Sequence, residues 1–222
     1  MGPSKRVQLL IFLLLFTVLT YGQKYSPSVV ILDPYDREYD SLLLTEIQEF
    51  DFQGYSTAED ERSFQESIKS KPANIQKMKI EEMRFRETRD FASTFTGMLQ
   101  AMVSYMIFGQ TDKCLVFPTH QKSKGQIGEL KALADKNDVQ WIINPLIIKT
   151  YLKDNMKYTA VRLQVYDHNK EQIVLDKEYI GDTKNPGLEL SCPQGTLTCT
   201  ISNVLNVSLN DILLTILKRY QR

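Results

Sequence analysis

The stretch from Val139 to Ile180 constrains the fold most, because it reads as three successive strands with no room between them for a helix. Val139 to Tyr151 is a run of large apolar residues, WIINPLIIKTY at its centre. Pro145 has no amide hydrogen to give a neighbour, so this strand needs an edge or a bulge there. Tyr158 to Tyr166 alternates: Thr159, Val161, Leu163 and Val165 face one way, Arg162 and Gln164 the other. That period of two predicts a strand with one wet face. Asp167-His168-Asn169-Lys170 supplies a turn, and Glu171 to Ile180 a further strand with Ile173, Leu175 and Lys177 on alternate positions. Together they predict a three-stranded meander.

The flanking segments predict helices and short buried strands. Ile201, Leu205, Leu209, Ile212, Leu213, Ile216 and Leu217 recur at helical spacing, so the chain is expected to end in a helix over about 200–220. Lys218, Arg219 and Arg222 fall at its carboxyl end, where positive charge suits the helix dipole. Ser28-Val29-Val30-Ile31-Leu32 reads as a buried strand that Asp33-Pro34 ends. Leu43, Ile47 and Phe50 suit a short helix, and residues 51–60 a loop. A weak helix is expected over 60–70, interrupted at Lys71-Pro72. A long helix is expected over 74–108, charged in front and striped behind with Phe91, Phe95, Met98, Leu99, Met102, Tyr105 and Met106. Cys114 to Thr119 reads as a strand and 126–136 as a helix with Ile127, Leu130, Leu133 and Ala134 on one side. The predicted fold is α/β (α+β-like): a mixed sheet of about five strands ending in the meander and packed by helices, without internal repeats.

The amino terminus has the order of an export signal. Lys5 and Arg6 precede the apolar run Leu9–Leu19, and Thr20-Tyr21-Gly22 places small residues before a cleavage point. The run has 11 residues, where a membrane-spanning helix needs about 20. The expected organisation is a signal peptide over 1–22 and a single α/β domain over 23–222, with no spanning segment after cleavage. No cysteine stands at the cut to carry a lipid. The chain has 27 basic and 27 acidic residues. Cleavage removes two basic residues and no acidic one, which leaves a net charge of −2 and argues against a nucleic-acid partner.

Three cysteines follow the signal. Cys192 and Cys199 flank Pro193-Gln194-Gly195, a turn that can bring their sulfurs together, and an oxidising destination makes a disulfide the expected outcome. Cys114 opens an apolar run and is read as a buried free thiol. His120 follows a strand and lies about 20 Å from Cys114 along an extended chain, too far for a nucleophilic pair. His168 sits in a polar turn and is expected to be solvated. Asp33, Asp36, Glu38 and Asp40 are oxygen donors of the kind that hold calcium, but they lack the glycine and spacing of a calcium loop, so a solvated acidic loop is the reading. Asn206-Val207-Ser208 forms a glycosylation sequon inside the last predicted helix. No cofactor or metal site is expected.

Val29-Val30-Ile31-Leu32-Asp33-Pro34, then LKALADKNDVQWII over Leu130 to Ile143, then VRLQVYDHNKEQIVL over Val161 to Leu175 occur in the order of three segments of a known group. The chain resembles the amino-terminal domain of TolB and the wider group of bacterial envelope proteins that includes the curli-secretion lipoprotein CsgG and the penicillin-binding-protein activator lipoproteins. It departs from them at Asn144-Pro145, where they have glycine and a small residue. The resemblance implies an exported, non-enzymatic binding, adaptor or assembly module with a protein partner, periplasmic or secreted or peripheral to the outer membrane. Two alternatives stand beside it: an exported enzyme using Cys114 or the acids near Asp33, and a peripheral component of a secretion assembly. The partner surface expected is the charged helix face of Lys77, Lys79, Glu82, Arg84, Arg86 and Arg89.

Overall fold

The computed structural model describes residues 27–53, 58–108, 115–184 and 192–218. The export signal and Cys114 lie outside the described residues. In chain order the elements are β1 (Ser28–Ile31), β2 (Asp36–Tyr39), a 3-10 turn (Ser41–Leu43) running into α1 (Leu44–Gln48), β3 (Phe52–Gln53), α2 (Ala58–Ile68), α3 (Ala73–Glu87), β4 (Thr88–Arg89), α4 (Phe91–Phe108), β5 (Leu115–Pro118), α5 (Ile127–Asn137), β6 (Trp141–Lys153), β7 (Met156–Asp167), β8 (Gln172–Asp182) and α6 (Leu197–Leu217). The main sheet has six strands in the order β5-β1-β6-β7-β8, with β2 also paired to β6. β5, β1, β2 and β6 run parallel, and β6, β7 and β8 form the antiparallel meander.

Two layers of helix cover the sheet. Alternation along β1 sends Val29 and Ile31 to one face and Val30 and Leu32 to the other, and all four are fully buried, as a strand covered on both sides requires. The first face packs against α4 through Phe91, Phe95, Leu99 and Val103, and against α6 through Ile201, Leu205, Ile212 and Ile216, with Trp141 between. The second packs against α5 through Leu130 and Ala134. α6 is long and apolar enough by composition to cross a membrane; here its apolar stripe lies in the core. It approaches β8 closely at Gly181, where an added Cβ would sit 2.7 Å from the Val204 nitrogen and closer still to the Thr200 carbonyl oxygen.

Pro145 is accommodated as its chemistry demands. On its β7 side the register shifts between Pro145 and Ile147. On its other side β6 changes neighbours. Leu32 N–H donates to the Ile143 carbonyl and Tyr35 N–H to the Pro145 carbonyl, after which β2 takes over from Ile147. No amide is needed at residue 145, because no strand stands opposite it there.

Five features differ from the sequence expectations. Residues 51–60, expected as a loop, contain β3, which pairs with β4, and the start of α2. The helix expected over 74–108 is two helices, because Thr88 is extended (φ −133°, ψ 120°) and Asp90 starts α4 afresh. DREY of residues 36–39 is a strand, since β6 offers it a partner. The second face of β7 is less wet than its alternation implies: Gln164 and Tyr166 are buried, and Gly125 at φ +82° lets the 119–126 loop lie against Gln164 and Leu146. His168 is part-buried rather than solvated, with Nε2 3.1 Å from Asp135 Oδ1.

Candidate functional site: a charged cleft at the strand ends

β1 and β5 lie side by side, and their carboxyl ends open onto a cleft. The chain passes from β1 to β5 through α4 on one face of the sheet and from β5 to β6 through α5 on the other. The crevice where such crossovers diverge, beyond the carboxyl ends of parallel strands, is where open α/β sheets place ligands.

The pairing of β1 and β5 continues past their last residues. Thr119 N–H donates to the Ile31 carbonyl at 3.0 Å and Asp33 N–H to the Gln121 carbonyl at 2.9 Å. This sets His120 beside Asp33. His120 Nδ1 donates to Asp33 Oδ2 at 2.9 Å; the carboxylate can only accept, which assigns the ring proton to Nδ1. The imidazole stacks on Phe85 of α3, with centroids 4.8 Å apart. Asp33 is 2 % exposed and the His120 side chain 40 %, so a buried carboxylate orients a ring whose other nitrogen meets solvent. The hydrogen bond that His120 donates to Asp33 is the main cause holding the His120 pKa above its ordinary value.

Arg37 of β2 links this pair to the start of α4. Its guanidinium lies 3.7 Å from Asp33 Oδ2 and forms a close ion pair with Asp90. Asp90 caps α4: Oδ1 accepts from Ser93 N–H at 2.8 Å, while Asp90 N–H donates to Ser93 Oγ at 2.9 Å. Burial pushes the Asp90 pKa up, but the Ser93 hydrogen bonds and Arg37 outweigh it and leave the carboxyl below its usual value. The cleft, of about 440 Å³, is lined by Asp33, Arg37, Asp51, Thr88, Arg89, Asp90, His120 and Lys122. Two buried atoms in it have no hydrogen-bond partner among the described residues, Asp33 Oδ1 and Arg37 Nε.

The four acids near Asp33 do not form one site. Asp33 belongs to the cleft, Glu38 pairs with Lys149, Asp40 accepts from the Leu42 and Leu152 backbone N–H groups, and Asp36 is exposed on β2. Among the described residues no group of three or more His, Cys, Asp or Glu is placed to hold a metal. The charged face of α3 largely satisfies itself: Lys79 and Arg86 both bind Glu82, and Arg84 binds Glu81. Lys77 reaches the Lys136 carbonyl of α5, and Arg89 lines the cleft. Cys192 and Cys199 are joined by a disulfide across the start of α6. A larger groove of about 660 Å³ runs between β8 and the end of α6, where Lys177 and Tyr179 both bind Asp211.

Sequence reading missed the cleft because its members are scattered over 87 residues between Asp33 and His120. One signal was present: Asp33 and His120 each follow a short apolar strand, and in a parallel pair such positions become neighbours.

No family model and no curated protein matches the chain. Among solved structures, a hypothetical protein from Chlamydia trachomatis is similar at 11% identity and a TM-score of 0.40, covering 86% of this chain and 98% of that one. Lipoprotein GNA1162 from Neisseria meningitidis is similar at 10% identity and a TM-score of 0.31 (84% and 97% covered). The LpoB carboxyl-terminal domain from Salmonella enterica follows at 8% and 0.25 (74% and 90% covered). At these TM-scores the likenesses carry no functional argument.

Proposed function

We propose that the chain is an exported, non-enzymatic binding module of the cell envelope that engages a protein partner, and that the cleft between β1 and β5 is its ligand site. One observation carries this reading. Asp33, Arg37, Asp90 and His120 come from four separate segments, yet they hold one another in place beyond the carboxyl ends of two parallel strands of a mixed sheet. Side chains fixed before a ligand arrives reduce the entropy lost on binding. The disulfide and the amino-terminal signal pattern support an oxidising, exported setting.

The test is crosslinking in intact envelopes with wild-type protein and with His120→Ala and Lys122→Ala. A stoichiometric adduct in wild type that weakens in both variants supports the reading. An adduct equally strong in all three, or none under several crosslinkers, would count against it.

The Asp33–His120 pair also favours a second reading, an enzyme using His120 as a general base, since a carboxylate-oriented imidazole is the arrangement such chemistry uses. A reaction that survives His120→Gln would dismiss it.

A further inference from the structure

The two ends of the main sheet differ. β5 is four residues long and ends in Pro118, and its Val116 carbonyl accepts from the Gln100 side chain at 3.3 Å. β8 has 11 residues and no proline. Among the described residues it pairs with β7 alone. At Asp182 the Asn203 side chain closes its edge, donating to that carbonyl at 2.8 Å. Over residues 175–181 the outward N–H and C=O groups meet no other described strand. An edge left open in this way is a template for a further strand.

α6 runs back along this edge. Asn203 meets Asp182, Asp211 accepts from Lys177 Nζ at 2.7 Å and from the Tyr179 hydroxyl at 2.9 Å, and Lys218 lines the groove with Lys170 and Val174. Val207, Asp211, Leu214 and Lys218 fall on one stripe at helical spacing. Val207 is 52 % exposed and Leu214 50 %, in a helix whose other large apolar residues are buried. On β8, Val165 pairs with Leu175 but Tyr166 with Ile173, so Val174 is an extra residue. That bulge lets the consecutive Val174 and Leu175 both line the groove.

Charge decides what kind of chain fits. Lys170, Lys177 and Lys218 line the groove against one acid, Asp211, which Lys177 and Tyr179 already hold. Lys218 is exposed with no ion partner among the described residues. The opposite face of β8 carries Asp176, Glu178 and Ile180, with Glu178 and Ile180 exposed. A second copy of this chain fits poorly. Two-fold antiparallel pairing of β8 with itself, centred on successive residues from Asp176 to Ile180, sets Asp176 on Asp176, Lys177 on Lys177, Glu178 on Glu178, Asp176 on Asp182, or Glu178 on Asp182. Like charges directly opposite destabilise a strand pair.

We propose that β8 accepts an extended segment of a different protein as an added strand. Its alternate side chains, apolar and acidic, lie toward Val207, Leu214 and the lysines, and basic ones lie toward Glu178. The groove shares no lining residue with the cleft, so this surface goes beyond the cleft and is independent of it.

The probe is a capped peptide of roughly eight residues, the span of a strand, in which lysine alternates with valine and glutamate. It is titrated into the protein while backbone amides are followed by NMR and hydrogen exchange. The expected result is a saturable shift and slowed exchange over residues 175–181, with β5 unmoved. A peptide of the same composition shuffled to break the alternation binds far more weakly. Leu214→Glu and Lys218→Glu each lower affinity on the order of tenfold, whereas Ile127→Glu, at an equally exposed apolar position on α5, does not. A strand turns its N–H groups to its two edges in alternation. N-methylation of one alternate set of peptide amides therefore abolishes binding and of the other set spares it, and the blocking set reports the direction of the added strand. No saturable shift in β8, equal binding of the shuffled peptide, indifference to both methylations, or dimerisation that protects β8 without peptide overturns the proposal. The methylation comparison uses wild type, so it decides even if Leu214→Glu does not fold. Failure here together with crosslinking that depends on His120 and Lys122 removes this surface and leaves the cleft reading in place.

Discussion

Glu46 Oε1 accepts a hydrogen bond from the Leu197 backbone N–H at 3.1 Å, and its Oε2 meets Lys157 Nζ at 2.6 Å. A short amino-terminal helix thus holds the first residue of the last helix and the start of β7 together. An acid at a helix amino terminus favours the exposed N–H groups there. Glu46→Ala removes the hydrogen bond and the ion pair together and is expected to cost about 1–2 kcal/mol. Lys157→Met removes the part-exposed pair and the exposed bond from Lys157 Nζ to the Gly195 carbonyl at 3.0 Å, and is expected to cost less than about 1 kcal/mol. Urea unfolding checks the order; a loss in Lys157→Met as large as that in Glu46→Ala would refute it.

The His120–Asp33 contact makes stability depend on pH in a definite direction. Its folded pKa is raised, so the folded state binds the proton more tightly than the unfolded one. The contribution is fully present below the unfolded value of about 6.5 and is lost as pH rises through the raised folded value. Between about pH 5.5 and 8.5, wild type should lose stability relative to His120→Gln. Parallel stability curves for the two proteins would refute this.

Gly181 is expected to resist every substitution. A Cβ there would enter the backbone of α6 at Thr200 and Val204, and backbone cannot rotate aside as a side chain can. Gly181→Ala should cost about 1–3 kcal/mol, read as a lower unfolding midpoint. Gly128 has no atom within 4 Å of the same construction, so Gly128→Ala is the control and should cost nothing or stabilise α5 slightly.

The disulfide should appear in peptide mapping of the exported protein as a Cys192–Cys199 linkage. It closes a short loop, with a sequence separation of 7, so chain entropy assigns it about 2 kcal/mol. Cys192→Ser with Cys199→Ser should lower stability by that order and leave the sheet intact by circular dichroism. Two free thiols in the mapped protein would reject the linkage.

Much of the fold was legible because its signals are local. The alternation of Thr159, Val161, Leu163 and Val165 sets one face of β7, the stripe from Ile201 to Leu217 sets the buried face of α6, and Pro145 marks the break in β6. What escaped was set by partners far along the chain. β2 has no apolar pattern and is a strand because β6 has an unfilled edge beyond Pro145. Gln164 looks like a solvent-facing residue, but it is buried where the 119–126 loop crosses the sheet, with Asn144 donating to its side-chain oxygen at 3.3 Å. The cleft escaped for the same reason: neither Asp33 nor His120 has a local motif, and only the parallel pairing of two four-residue strands makes them neighbours.

The change of neighbour along β6 leaves the chain beyond β1 free to shape the cleft. Had β1 run straight into β2, one long strand would line that edge, and Asp33 would be an ordinary rung in it. Because the chain steps aside between Leu32 and Asp36, across from a residue that offers no amide, the carboxylate of Asp33 is turned out of the ladder toward His120 and Arg37. The proline lies on the β6 side of this step and the aspartate turns to its β5 side, so filling the step with regular β-structure would erase the site.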